Sequence, residues 1–159
     1  MRYGFDFQEK KLTLFDDGNI KIHTSTWPQC GRAVATILGL PDLKPWENKA
    51  VNISSFFISQ REMHASVLRV TGGKESDWTI THESLQERYK RGVEMFQRGN
   101  FVGFAILLYA RMFFPDAAPS LDGHIDNEKL GLPGEDLDEF TNIAVKYVES
   151  GEASRWTQY

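Results

Sequence analysis

The run Phe101–Phe114 (FVGFAILLYARMFF) limits more than any other segment what this chain can fold into. Apart from Arg111 it is apolar on every helical face, so a helix built from it must be enclosed by protein or form one wall of an apolar cavity. At 14 positions, interrupted by Gly103 and Arg111, it is too short and too broken for a membrane span. The rest of the chain must therefore supply its cover. With 159 residues, 41% hydrophobic and 13% aromatic, the sequence has material for one soluble domain with a large apolar interior or pocket, and most of it is not disordered.

Charge and cysteine content remove several function classes. Cys30 is the single cysteine, which excludes an intrachain disulfide framework and a Cys-based zinc site and favours a reducing, cytoplasmic setting. The N-terminus Met1-Arg2-Tyr3-Gly4-Phe5-Asp6 has no apolar signal core. The net charge of −4 is uneven: residues 1–115 carry 15 Lys/Arg against 12 Asp/Glu, and residues 116–159 carry 3 against 10. The basic excess is not clustered and the acidic end repels phosphate, so neither part is a nucleic-acid footprint.

Periodicity orders the chain into strand–helix units. Lys11–Phe15 and Ile20–Thr26 alternate around Asp16-Asp17-Gly18-Asn19, which predicts an N-terminal β-hairpin with His23 on its wet face. Thr26 and Pro28 open a helix whose inner face is Cys30, Ala33, Val34, Ile37 and Leu38, and Gly39 with Pro41 ends it. Ala50–Ile53 reads as a short strand. Ser59 and Glu62 form a capping box for a helix closed by Gly72-Gly73. Asp77–His82 is a third strand unit, followed by helices near 84–98, 101–114 and 135–149, the last with Leu137, Phe140, Ala144, Tyr147 and Val148 inward. Residues 1–150 read as one α/β domain with a partial sheet and a helical cluster, and 151–159 as a flexible tail.

Three stretches carry a family resemblance: Gly4-Phe5-Asp6 with Asp16-Asp17-Gly18-Asn19, then Gly31-Arg32-Ala33-Val34-Ala35-Thr36-Ile37-Leu38, then Asp126-Asn127-Glu128-Lys129-Leu130-Gly131-Leu132. In order and spacing they resemble the C-terminal, substrate-side half of the NmrA-like, isoflavone-reductase-like family of atypical short-chain dehydrogenases, fungal members above all. Members of that family are NAD(P)H-dependent reductases of small, often aromatic metabolites, or regulators that bind the dinucleotide without turning it over. The resemblance implies the last sheet strands and the substrate-side helices, without the dinucleotide-binding half. No glycine-rich dinucleotide loop exists in this sequence, since Gly131 and Gly134 are followed by Leu137 where a third glycine belongs. The family's catalytic lysine belongs to the other half, and Gln29 stands where the family commonly has an aspartate.

Candidate chemistry is spread along the chain. His82 ends a strand, where α/β sheets gather ligands, and His64 lies on the Ser59-capped helix; with Tyr109 they are the candidate catalytic groups, each also explicable as an ordinary packed or capping residue. Trp78, Phe101, Phe104, Tyr109, Arg111 and Phe113 are the candidate substrate-binding residues, walls for a planar hydrophobic metabolite with Arg111 either paired to a carboxylate or facing an anion. Asp122, His124 and Asp126 alternate as metal ligands do but lack a calcium-loop pattern, and Gly72-Gly73-Lys74 is a helix stop, not a phosphate loop. No cofactor and no metal are expected. The reading is a small-molecule pocket protein performing non-redox chemistry of cyclase, isomerase or dehydratase type on a hydrophobic, aromatic or polycyclic metabolite. Its alternatives are a truncated reductase that needs a missing half, or a non-catalytic binding or regulatory module. Sheet strands cut from a larger parent leave an edge to be covered, which predicts a homodimer.

Overall fold

In the computed structural model, which describes residues 3–117, 121 and 123–151, the two strands expected to form a hairpin, Lys11–Phe15 and Lys21–Thr24, join different sheets. β1 (Phe5–Asp6) pairs antiparallel with β2 (Lys11–Phe15), and β2 pairs parallel with β5 (Thr79–Glu83) in the register Leu12↔Ile80, Leu14↔His82. β3 (Lys21–Thr24) pairs antiparallel with β4 (Phe56–Ser59), setting Ile22 opposite Ile58. Five helices complete the described residues: α1 (Trp27–Leu38), α2 (Gln60–Thr71), α3 (Leu85–Gln97), α4 (Val102–Met112) and α5 (Leu137–Glu149). The architecture is mixed α/β with two small sheets, and no described helix is long and apolar enough to cross a membrane.

The expected hairpin is thus corrected. The turn itself forms, with Asp16 and Gly18 at positive φ, but both edges of β2 are already occupied. Buried Gln60 decides the matter: its Oε1 accepts the Phe15 N–H at 2.8 Å, while its Nε2 donates to the carbonyls of Tyr3 and Thr13 at 2.8 and 2.9 Å. The Asp16 N–H goes on to the Glu83 carbonyl, so the chain leaves β2 toward β5's end and not back along itself. Gly4 permits this knot, because at φ +86° a Cβ would stand 2.1 Å from the Thr13 carbonyl oxygen.

Ala50–Ile53 is not a strand. It runs beside the 126–127 loop: the Asp126 N–H donates to the Asn52 carbonyl, the Asn52 N–H donates to the Asp126 carboxylate, and the Asn127 amide binds both the N–H and the carbonyl of Ser54. The strand lies later, at β4. His23 is not on a wet face either: it is half-buried, stacked 4.5 Å from Phe57, with Nδ1 2.9 Å from Ser54 Oγ. On α1 only Ala33 of the expected inner face is buried, and Cys30, Val34 and Leu38 are exposed. That helix is attached by polar bonds at its start, where fully buried Gln29 donates to the Pro133 carbonyl and Glu135 binds Thr26 and Arg32. On α5 the buried residue is Val145, while Ala144 and Tyr147 are exposed.

The core gathers Phe15, Ile22, Leu85, Ala110 and Phe113. α3 and α4 form a close hairpin in which a Cβ on Gly103 would lie 2.5 Å from the Gly92 carbonyl oxygen, so neither position has room for a side chain. α4 is not enclosed, contrary to the expectation from its composition. Its Gly103, Ala110 and the adjoining Phe113 are buried, but Phe101 is 79% exposed and Val102, Phe104 and Leu108 are also open. A single helix partner covers one side of an all-apolar helix and leaves the other bare.

Candidate functional site

A cavity of about 490 Å³ lies where five parts of the chain converge. The N-terminal segment contributes Tyr3, Phe5 and Phe7, the end of β3 contributes Thr24, Ser25 and Thr26, and β4 contributes Phe56. α2 adds Met63 and Val67, and α5 adds Leu137, Phe140, Thr141 and Ala144. The volume is in the range of small-molecule sites. Among the described residues no Asp, Glu, His, Lys or Arg lines it, and the lining combines apolar side chains with hydroxyls.

Local sequence holds each wall in place. Ser59 and Glu62 form the capping box that starts α2 and fixes Met63 and Val67: the Glu62 N–H meets Ser59 Oγ at 3.2 Å, and the Ser59 N–H meets Glu62 Oε2 at 2.8 Å. α5 is tied to α2 by Asp138, whose carboxylate accepts from Arg69 Nε and Nη2 at 2.8 and 2.6 Å and from fully buried Ser66 at 2.6 Å. Those bonds, the Arg69 guanidinium first, lower the Asp138 pKa to about 2. Phe5 and Phe7 stack at 5.7 Å, and Phe56 packs against Phe140 at 6.3 Å across the opening. The Ser25–Thr26 rim is pinned by Ser25 Oγ donating to the Ile53 carbonyl and by Thr26 donating to Glu135.

The expected site residues fall into separate groups. His64 and Trp78 come together: their rings lie 5.0 Å apart, and Trp78 meets Phe5 and Phe7 edge-on at 6.2 and 5.9 Å. His64 is 6% exposed, its Nε2 has no hydrogen-bond partner, and burial lowers its pKa against a smaller opposing pull from Glu75. Trp78, with Phe7, Val67, Thr71 and Asp77, lines a second cavity of about 560 Å³ on the far side of this ring cluster. His82 is exposed at the end of β5, its Nδ1 2.8 Å from the Asp16 carbonyl oxygen. Tyr109 stands edge-on to Tyr3 at 5.5 Å. Phe113 is a core residue, 5.1 Å from the Phe15 ring. Arg111 is paired to the exposed Asp116 by two bonds of 2.8 and 2.9 Å, which answers its place in the apolar run. Phe101 and Phe104 are exposed and both pack against Phe96.

None of these eight residues lines the 490 Å³ cavity. Phe140 was visible as an inward residue of the last helix. Phe5 and Phe7 carried a weaker signal, aromatic residues two apart in an extended segment, and Phe56 had none, because its strand was placed six residues too early. Of the possible metal loop, Asp122 lies outside the described residues, and Asp126 binds Lys129 at 2.6 Å and the Asn52 N–H. Among the described residues no group of His, Cys, Asp and Glu is arranged to hold a metal ion. Gly72 takes the left-handed conformation that ends α2. Compared with protein-family models, curated proteins and solved structures, the chain matches none, and the NmrA-like resemblance rests on its three motifs alone.

Proposed function

We propose that the chain binds a neutral, hydrophobic small molecule, aromatic or polycyclic, in the 490 Å³ cavity between β3, β4, α2 and α5. The observation that carries this reading is a lining of mainly aromatic and aliphatic side chains, with a few hydroxyls and no ionised group among the described residues. Charged ligands lose their hydration there without gaining a counter-charge, whereas flat apolar ones gain ring contacts. A binding or regulatory module fits this lining better than an acid–base enzyme, since among the described residues the lining holds no Asp, Glu, His or Lys. No step in this reading uses a nicotinamide. The test is fluorescence titration with naphthalene beside a variant that fills the site from its exposed rim, Ala144→Trp. Saturable binding that the variant abolishes supports the reading. No binding to the wild-type chain, or equal binding to both, overturns it.

Non-redox catalysis on the same ligand is the second reading, favoured by His64. A buried imidazole with an unpartnered nitrogen stands beside the cavity-lining Phe5, and burial favours its neutral, proton-accepting form. The homodimer belongs with the proposal too. Its best surface is the open face of α4 with Phe96, where Phe101, Val102, Phe104 and Leu108 are all exposed.

A further inference from the structure

The geometry points to a site selective for ligands that donate a hydrogen bond: neutral alcohols, phenols or N–H compounds, over ketones, ethers and carboxylates of the same shape. The inference rests on the cavity reading above and adds the ligand's polar group to it. It follows from counting protons on the rim. A serine or threonine hydroxyl has one proton to give and two lone pairs to receive with.

The serine and threonine hydroxyls of the lining have given theirs away; the Tyr3 phenol stands outside this count. Ser25 Oγ donates to the Ile53 carbonyl at 3.0 Å, and Thr26 Oγ1 donates to the Glu135 carboxylate at 2.8 Å. Thr24 Oγ1 is directed to the Phe56 carbonyl at a longer 3.5 Å. Thr141 Oγ1 lies 2.8 Å from Ser66 Oγ; because the Ser66 proton goes to Asp138, the proton between these two hydroxyls is the one from Thr141. The nearby Thr26 N–H is also used, by Ser55 Oγ at 3.0 Å. What these hydroxyls still offer is lone pairs. Thr26 already accepts from the Gln29 N–H, so Ser25 has the larger remaining capacity.

Along the Ser25–Thr26 rim a ligand that only accepts finds no partner among these hydroxyls, and its oxygen is left unsatisfied there. A donor finds an acceptor without breaking any bond on the rim. A carboxylate meets lone pairs and no cation. An ammonium group meets no free carboxylate, because Glu135 is held by Arg32 and Thr26. The selection is made by bonds that also hold the loop before α1, so it is built into the fold.

The test uses four probes of one ring system: naphthalene, 1-naphthol, 1-methoxynaphthalene and 1-naphthoate, titrated against the full chain by fluorescence and calorimetry. The expected result is 1-naphthol binding roughly 3- to 10-fold tighter than 1-methoxynaphthalene, the worth of one net hydrogen bond, with 1-naphthoate weakest. Ser25→Ala should shrink the preference for 1-naphthol over 1-methoxynaphthalene, the ratio of the two affinities being the quantity read. Thr24→Val, close to isosteric, checks the same point without freeing the Ile53 carbonyl. Equal affinity for naphthol and its methyl ether in the wild-type chain, with naphthalene bound, overturns this inference alone. Failure of all four probes to bind overturns the cavity reading and this inference with it.

Discussion

Two aromatic clusters of similar make-up meet opposite fates in this molecule. Phe5, Phe7, Trp78 and His64 contact one another at ring distances of 5.0–6.3 Å, and so do Phe96, Phe101 and Phe104 at 5.5–6.1 Å. The first is half-buried to buried and separates two cavities, whereas all three rings of the second are exposed. The first cluster draws its members from β1, the segment after it, α2 and the approach to β5, and Gln60 at the start of α2 ties that helix to the Tyr3 and Thr13 carbonyls beside β1. The second comes from one turn between two neighbouring helices. Local contact brings rings together, but only chain from distant positions covers them.

That contrast breaks most sharply on α4, whose two faces differ only in cover. Phe113→Ala should cost about 3–5 kcal/mol in urea denaturation, as loss of a core aromatic does, while Phe101→Ala should stay within about 0.5 kcal/mol. Similar costs for the two would mean that the open face is covered in solution.

Acid should loosen the cavity through Asp138 before it touches the α3–α4 hairpin. Its carboxyl is depressed in the folded chain, so the stabilisation it gives is full above the ordinary value of 3.8 and is lost as pH falls through about 2. Asp138→Asn should flatten the stability profile in that window and speed amide exchange at the start of α5, read by hydrogen exchange at several pH values. An unchanged profile would show that Arg69 and Ser66 do not hold that wall.

The smallest effect concerns His64. Its folded pKa is lowered by burial, with Glu75 opposing, so its neutral form favours folding above pH 6.5 and stability drops as pH falls below that value. His64→Leu removes the titrating group and the unpartnered nitrogen, so wild-type and variant melting curves should separate progressively below pH 6.5, the variant being the more stable. Parallel curves across that range would mean that the ring is already wet.

Much of the secondary structure was legible in the residues. The Ser59–Glu62 box, Thr26 with Pro28, the Gly72 stop and the 3.6-residue periodicity after Ser84 are local signals with local causes, and each stands close to where it was expected. The pairing of strands was not legible. Asp16–Asn19 has hairpin chemistry, yet a glutamine 45 residues after Phe15 captures the N–H at the hinge and sends β3 to another partner. The site was half-legible for the same reason: aromatic residues were recognised wherever they clustered along the chain, but the cavity is lined by rings that meet across it.

By itself, then, the sequence determined where helices begin and end, that one apolar helix needs cover, and that no glycine loop for a dinucleotide is present in these residues. The tertiary structure alone decided which face of that helix is covered, which aromatics enclose a cavity, and which hydroxyl protons remain to be given. The physical reason is that capping, turns and periodicity are settled within a few residues, while burial and hydrogen-bond satisfaction depend on partners dozens of positions away.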